Sequence, residues 1–173
     1  ALRVAQAHGG VIVNADAIQV FSNWRVLTAR PDDGDLALAP HHLYGHLPGD
    51  CDYSVGAWLR EVTPLLTGPD RLIIVGGTGL YFSALTEGLA EIPPIPPVIR
   101  AQARARLEDG DLAGLISELD PDSARAIDLR NPMRVARAWE VRRATGRGIT
   151  DWPADTPPPP LPLSACDAWV MDA

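Results

Sequence analysis

The sequence predicts an α/β protein: a parallel sheet flanked by helices, with an all-helical insertion. Three observations predict it. Two short apolar runs, Val11-Ile12-Val13-Asn14 and Arg71-Leu72-Ile73-Ile74-Val75, have the length and composition of strands buried on both faces of a parallel sheet. Each runs straight into polar or glycine-rich residues, and helical periodicity occupies 54–66 and the stretch up to about Thr86. From Ile92 to Arg147 no strand signal occurs, only apolar residues at helical spacing.

Taken in order, Ala1 to His8 reads as the end of a helix, stopped by Gly9-Gly10. A chain that opens inside a helix predicts residues upstream. The first strand then breaks at Asn14, Asp16 and Gln19. Ligands of open α/β sheets bind beyond the carboxyl ends of the strands, so a carboxylate at Asp16 is a candidate for chemistry. The same pattern also fits a carboxylate that merely caps the following turn. Asp32, Asp33, Gly34 and Asp35 read as an exposed turn. His41, His42 and His46 lack an HExxH spacing, and neighbouring side chains on a strand face opposite ways, so the pattern does not favour a metal site. Ser54 caps a helix whose apolar positions are Val55, Trp58, Leu59, Val62, Leu65 and Leu66. The second strand leads into Gly76-Gly77-Thr78-Gly79, which exposes backbone N–H groups to an anion or simply makes a tight turn.

Four prolines between Gly88 and Pro97 mark a boundary. Helices are predicted over 98–108, 112–119, 122–127 and 132–145, the last with Val135, Ala136 and Trp139 on its buried side. Arg130, Arg134 and Arg137 fall on one stripe if that helix extends back far enough. Six prolines make 151–163 a stiff linker, and Asp167 to Met171 reads as the start of another strand. The expected organisation is therefore a core of 1–91 and 164–173, incomplete at both ends, a helical insertion over 92–150, and the linker between.

Hydrophobic residues make up 46% of the 173, enough for a core, and no apolar run is long enough to cross a bilayer. Cys51 and Cys166 fit no metal or redox spacing and read as free thiols, which makes the cytoplasm the expected location. A net charge of -7 argues against non-specific coating of nucleic acid. All 15 basic residues are Arg, however, and the stretch 125–147 holds seven Arg against Asp128 and Glu140, a local +5. That segment is a candidate polyanion contact or a solvated helical face.

Six stretches together resemble one family, the tRNA dimethylallyltransferases (tRNA isopentenyltransferases, or IPP transferases). They are Ile12-Val13-Asn14-Ala15-Asp16-Ala17-Ile18-Gln19-Val20-Phe21, Thr28-Ala29-Arg30-Pro31, His41-His42-Leu43, Tyr53-Ser54-Val55, Val75-Gly76-Gly77-Thr78-Gly79-Leu80-Tyr81-Phe82, and Asn131-Pro132-Met133-Arg134-Val135-Ala136-Arg137-Ala138-Trp139-Glu140-Val141. They stand in the family's order over nearly the whole chain. The sequence departs from the family at Ala17 (usually Ser), Phe21 (Tyr), Leu27 (Gly) and Trp139 (Leu). The family's phosphate loop, GPTxSGKS or GPTxSGKT, is not in this sequence, and no Lys is present to replace its own. The resemblance predicts further residues on both sides.

The resemblance implies a P-loop NTPase-like fold and transfer of a dimethylallyl group from its diphosphate to N6 of the adenosine beside the anticodon. It implies Asp16 as the catalytic base and Gln19 as a ligand of the adenine edge. Thr28, Arg30, Gly76, Gly77, Thr78 and Gly79 would line the pocket for substrate or diphosphate. Asp16, Ala17, Ile18 and Gln19, with Arg130, Arg134 and Arg137, would contact tRNA. Mg2+ is implied with the diphosphate, its ligands unspecified. The expected partners are the tRNA anticodon stem-loop and dimethylallyl diphosphate, with no membrane and a monomeric state. Three other readings stay open: prenylation of free adenine nucleotides, a P-loop-fold nucleotide kinase, and an inactive fragment. The helical insertion with the 131–141 motif speaks against a small kinase.

Overall fold

The computed structural model describes residues 1–152 and 156–171; Pro153 of the expected linker and Asp172 beyond the expected last strand lie outside the described residues. Internal contacts divide the chain into two units, Ala1–Leu89 with Pro158–Ala173, and Ala90–Pro157.

Among the described residues the first unit holds one sheet of three strands, β1 (Val11–Asn14), β2 (His41–His42) and β3 (Leu72–Val75), in the order β2-β1-β3. Both pairings are parallel: Val11 to Asn14 lie opposite Leu72 to Val75, and Ile12 lies opposite His41. The central strand is covered on both faces, which is why its apolar run is continuous rather than alternating. Val11, Val13 and the following Ala15 pack with Trp58 and Val62 of α3 (Val55–Leu66) and with Tyr81 and Leu85 of α4 (Gly79–Thr86). Ile12 points the other way, onto Ala5 of α1 (Leu2–His8) and onto Ala39, which follows α2 (Asp33–Leu38).

Trp58 ties this packing to the end of β1. It is fully buried, stacks on Tyr81 with ring centres 4.6 Å apart, and its indole N–H donates to the Asn14 carbonyl at 2.7 Å. The helix that carries it starts where the sequence predicts, with the Ser54 hydroxyl accepting from the Ala57 N–H.

Two local expectations are corrected. The acidic stretch 32–35 is the start of α2 rather than a turn. Asp32 accepts from the Asp35 N–H, and the Asp35 carboxylate accepts from the Asp32 N–H. Acids favour turns and helix starts alike, and the Leu and Ala that follow decide for the helix. Asp167 to Met171 forms no strand. It has no ladder partner among the described residues, and Trp169, Val170 and Met171 stay exposed.

The second unit is helical: α5 (Pro97–Glu108), α6 (Leu112–Ser117), α7 (Pro121–Ala126) and α8 (Pro132–Thr145). Asp111, Asp120 and Asn131 cap the last three through side-chain oxygens, and Gly146, in the left-handed conformation, ends α8. Ala103, Leu115, Val135, Ala138 and Trp139 form its core. Trp139 does more than fill space. Its indole N–H donates to Glu118 at 2.6 Å, and the Arg106 guanidinium, bonded to Asp111 and Glu118, lies 5.4 Å from its ring centre.

Removal of the Trp58 indole takes away both its packing and its bond to Asn14. Trp58→Ala is expected to destabilise the protein by about 3–5 kcal/mol, measured by chemical denaturation.

Candidate active site

The site begins where β1 ends. Asn14 is buried, and its carboxamide bonds the chain on both sides. Its Oδ1 accepts from the Asp16 N–H at 2.9 Å, and its Nδ2 donates to the Asp16 carbonyl at 2.9 Å and the Leu43 carbonyl at 3.0 Å. Asp16 is thereby set two residues past the end of β1. Its Oδ1 accepts from the Ile18 N–H at 2.8 Å and the Gln19 N–H at 3.3 Å, so the carboxylate does cap its own turn. Its other oxygen faces the glycine-rich turn, where a methyl group built on Gly77 would stand 3.2 Å from Oδ2.

Two phenols feel this carboxylate. Burial, and then the Asp16 charge, push the Tyr44 hydroxyl up to about 12. Burial, then Asp16 and Glu61, do the same to Tyr81. Both phenols stay protonated at neutral pH.

The turn after β3 is joined to the turn after β1. The ladder continues past the strands, with Ala15 N–H donating to Val75 and Thr78 N–H donating to Ala15 at 3.2 Å. The Thr78 hydroxyl accepts from the Ala17 N–H at 2.9 Å. Gly76 makes this approach possible: a β-carbon there would lie 2.2 Å from the Ala15 carbonyl carbon. Thr78 caps α4 by position but gives its hydroxyl to Ala17, across the turn. Gly77 and Gly79 lie exposed, and Gly79 has open space where a side chain would go.

Gln19, Thr28 and Arg30 hold a loop together. Gln19 Nε2 donates to the Thr28 carbonyl at 2.8 Å, the Thr28 hydroxyl donates to Trp24, and Arg30 Nη1 donates to the Phe21 carbonyl at 2.6 Å. The Arg30 guanidinium also fills the space beside Gly45. The structure thus brings Asp16, Ala17, Ile18, Gln19 and 76–79 together, with Thr28 linked to them through Gln19 and Arg30 bonded to the Phe21 carbonyl of the same loop. Ala17 is half-buried and Ile18 exposed.

Arg130, Arg134 and Arg137 lie in the other unit and do not share one helical stripe. Pro132 opens α8 and Asn131 caps it, so Arg130 precedes the helix, with its guanidinium 3.5 Å from Asp128. Arg137 is half-buried and 3.8 Å from Glu140; burial, and the nearby Arg100 charge, lower its pKa while Glu140 opposes them. Arg134 is exposed and makes no ion pair among the described residues.

Residues 19–172 match the sequence model of the IPP transferase family. The chain belongs to the IPP transferase family. It is 58% identical, over its whole length, to the tRNA dimethylallyltransferase of Dinoroseobacter shibae, and 57% identical over 99% of its length to that of Cereibacter sphaeroides. It spans 59% and 54% of those two proteins. Among solved structures, the tRNA isopentenylpyrophosphate transferase of Bacillus halodurans matches with a TM-score of 0.50 at 28% identity, covering 84% of this chain and 50% of that one. A eukaryotic dimethylallyltransferase acting on tRNA matches in fold with a TM-score of 0.65 at 20% identity, covering 89% and 39%. The fold of this chain is P-loop-like α/β, as the sequence predicts.

Sequence reasoning missed four parts of the site: the Asn14 side chain, Trp58, Tyr44 and Tyr81. Only Asn14 left a signal, as a polar residue closing an apolar strand. The described residues contain no group of three or more His, Cys, Asp or Glu able to hold a metal ion, so they offer no metal cage of their own.

The close approach of the two turns gives a paired prediction. Gly76→Ala is expected to cost about 1–3 kcal/mol or more, whereas Gly79→Ala should change stability by less than about 0.5 kcal/mol, both read by thermal unfolding.

Proposed function

We propose that the protein of which this chain is part is a tRNA dimethylallyltransferase. The observation that carries the reading is Asp16: a half-buried carboxylate at the carboxyl end of the central strand, with one oxygen held by two backbone N–H groups and the other turned to the glycine-rich turn. The relatives' names and the family membership support the reaction class.

In this reading the adenine is turned out of its stack, because N6 cannot be reached inside one. The N6–C1 bond forms as the C1–O bond of dimethylallyl diphosphate breaks, and the diphosphate leaves. The N6 proton passes to Asp16 Oδ2, while Oδ1 keeps its two backbone donors and holds the carboxylate in place. Gln19 and Thr28 order the loop beside it. Exposed N–H groups of the 76–79 turn face developing anionic charge. Mg2+ would neutralise charge on the leaving diphosphate, and the described residues offer no ligand cluster of their own to hold it. The basic helical unit contributes phosphate contacts to the anticodon stem, with Arg134 the exposed guanidinium best placed to make one.

The full-length protein, given dimethylallyl diphosphate and unmodified tRNA, is expected to form N6-dimethylallyl adenosine. Product on free adenosine monophosphate but not on tRNA would contradict the tRNA assignment. Asp16→Ala is expected to lower kcat by about 10²–10⁴ with tRNA binding nearly unchanged. Retention of more than about a tenth of the rate would rule out a general base there. Arg134→Ala is expected to reduce the slope of log binding constant against log salt by about 1, measured by titration of tRNA.

A further inference from the structure

We propose that Asn14 is a positioning residue for Asp16, fixing the direction of the base through the backbone of residue 16. The inference rests on the reading of Asp16 as the base. Asn14 grips both polar groups of that residue's backbone at once, its N–H through Oδ1 and its carbonyl through Nδ2. With Ile18 and Gln19 N–H groups holding Oδ1 of the carboxylate, main chain and side chain of Asp16 are both held. Asn14 is itself fixed: its side chain is buried, and its carbonyl accepts the Trp58 indole N–H.

The residue type follows from the partners. One N–H and two carbonyls converge on the side chain, so one acceptor and a two-proton donor are required, which a carboxamide supplies. A carboxylate would set oxygen against oxygen at both carbonyls. An apolar residue would leave three half-buried backbone groups without this partner. The third partner carries the effect further. Leu43 has φ +63°, in the left-handed region that residues with a side chain rarely adopt. The Asn14 bond to its carbonyl holds it there, and the next residue is Tyr44, whose hydroxyl feels the Asp16 charge. One side chain thus ties the backbone that carries the carboxylate to the turn at Leu43.

The test compares Asn14→Ala, Asn14→Ser and Asp16→Asn in the full-length protein, with steady-state kinetics on dimethylallyl diphosphate and tRNA and with thermal unfolding. Asn14→Ala is expected to lower kcat about 10- to 100-fold, with KM for both substrates within about threefold. A Ser hydroxyl still accepts from the N–H two residues on, so Asn14→Ser is expected to recover about threefold of the loss and stay below wild type. A folded Asn14→Ala with kcat within about twofold of wild type overturns the proposal. So does a loss that follows the unfolded fraction and shows no recovery with Ser. If Asn14→Ala does not fold, Asn14→Ser decides: lowered kcat with unchanged KM supports the role, and wild-type kcat overturns it. An active Asp16→Asn shows instead that the base reading is wrong, whatever the Asn14 variants do, and the positioning role falls with it.

Discussion

The close contact between the turn at Ala15 and the turn at Gly76 is the constraint on which the rest of the site depends. Neither turn makes a site by itself. One carries a carboxylate, the other a run of glycines, and they come from strands separated by most of the first unit's sequence. Parallel pairing of Val11–Asn14 with Leu72–Val75 brings them level. The absence of a side chain at Gly76 then lets the backbones touch, and the Thr78 hydroxyl bonds Ala17 across the gap. The family usually has Ser at the position of Ala17, but here it is the main-chain N–H of that residue that makes the connection.

The polar groups around Asp16 divide into those that hold and one that is left to act. Asn14, Ile18 and Gln19 hold. Trp58 and the packing of α3 against β1 hold Asn14. The buried end of the strand is therefore held on several sides, while Oδ2 faces the glycine-rich turn. A base needs this division, because a carboxylate with both oxygens satisfied binds a proton poorly and one with neither fixed is rarely in the right place. The capping and catalytic readings of Asp16 are thus compatible: the cap uses one oxygen and the chemistry the other.

The fold class was legible because its signal is the density of apolar residues. Val11 to Val13 and Leu72 to Val75 are short apolar runs beside helices of period 3.6, and both are strands; the first is buried on both faces as expected, the second only half-buried. Helix starts were legible at Ser54, Asp120 and Asn131, where side chains cap the backbone. The acidic run at 32–35 was not, because the same residues serve turns and caps. The extent of the Arg stripe failed for a related reason: periodicity carries Arg130 onto the helix, but the Asn131-Pro132 start puts it outside. The strand expected at 167–171 failed because apolar composition alone makes no ladder. In the site, Asp16 and Gly76 could be located from sequence, since each breaks a strand. Tyr44 and Tyr81 could not, because their approach to Asp16 depends on tertiary placement and on a Leu43 conformation that no local pattern encodes.

The most direct measurement is a crystal structure of the full-length protein with an anticodon stem-loop and a non-reacting thio analogue of dimethylallyl diphosphate. The account predicts the target adenine out of its stack, with N6 within about 2.6–3.2 Å of Asp16 Oδ2 and Oδ1 still bonded to the Ile18 and Gln19 N–H groups. An adenine whose N6 faces another group, with both Asp16 oxygens turned to the backbone, would contradict it.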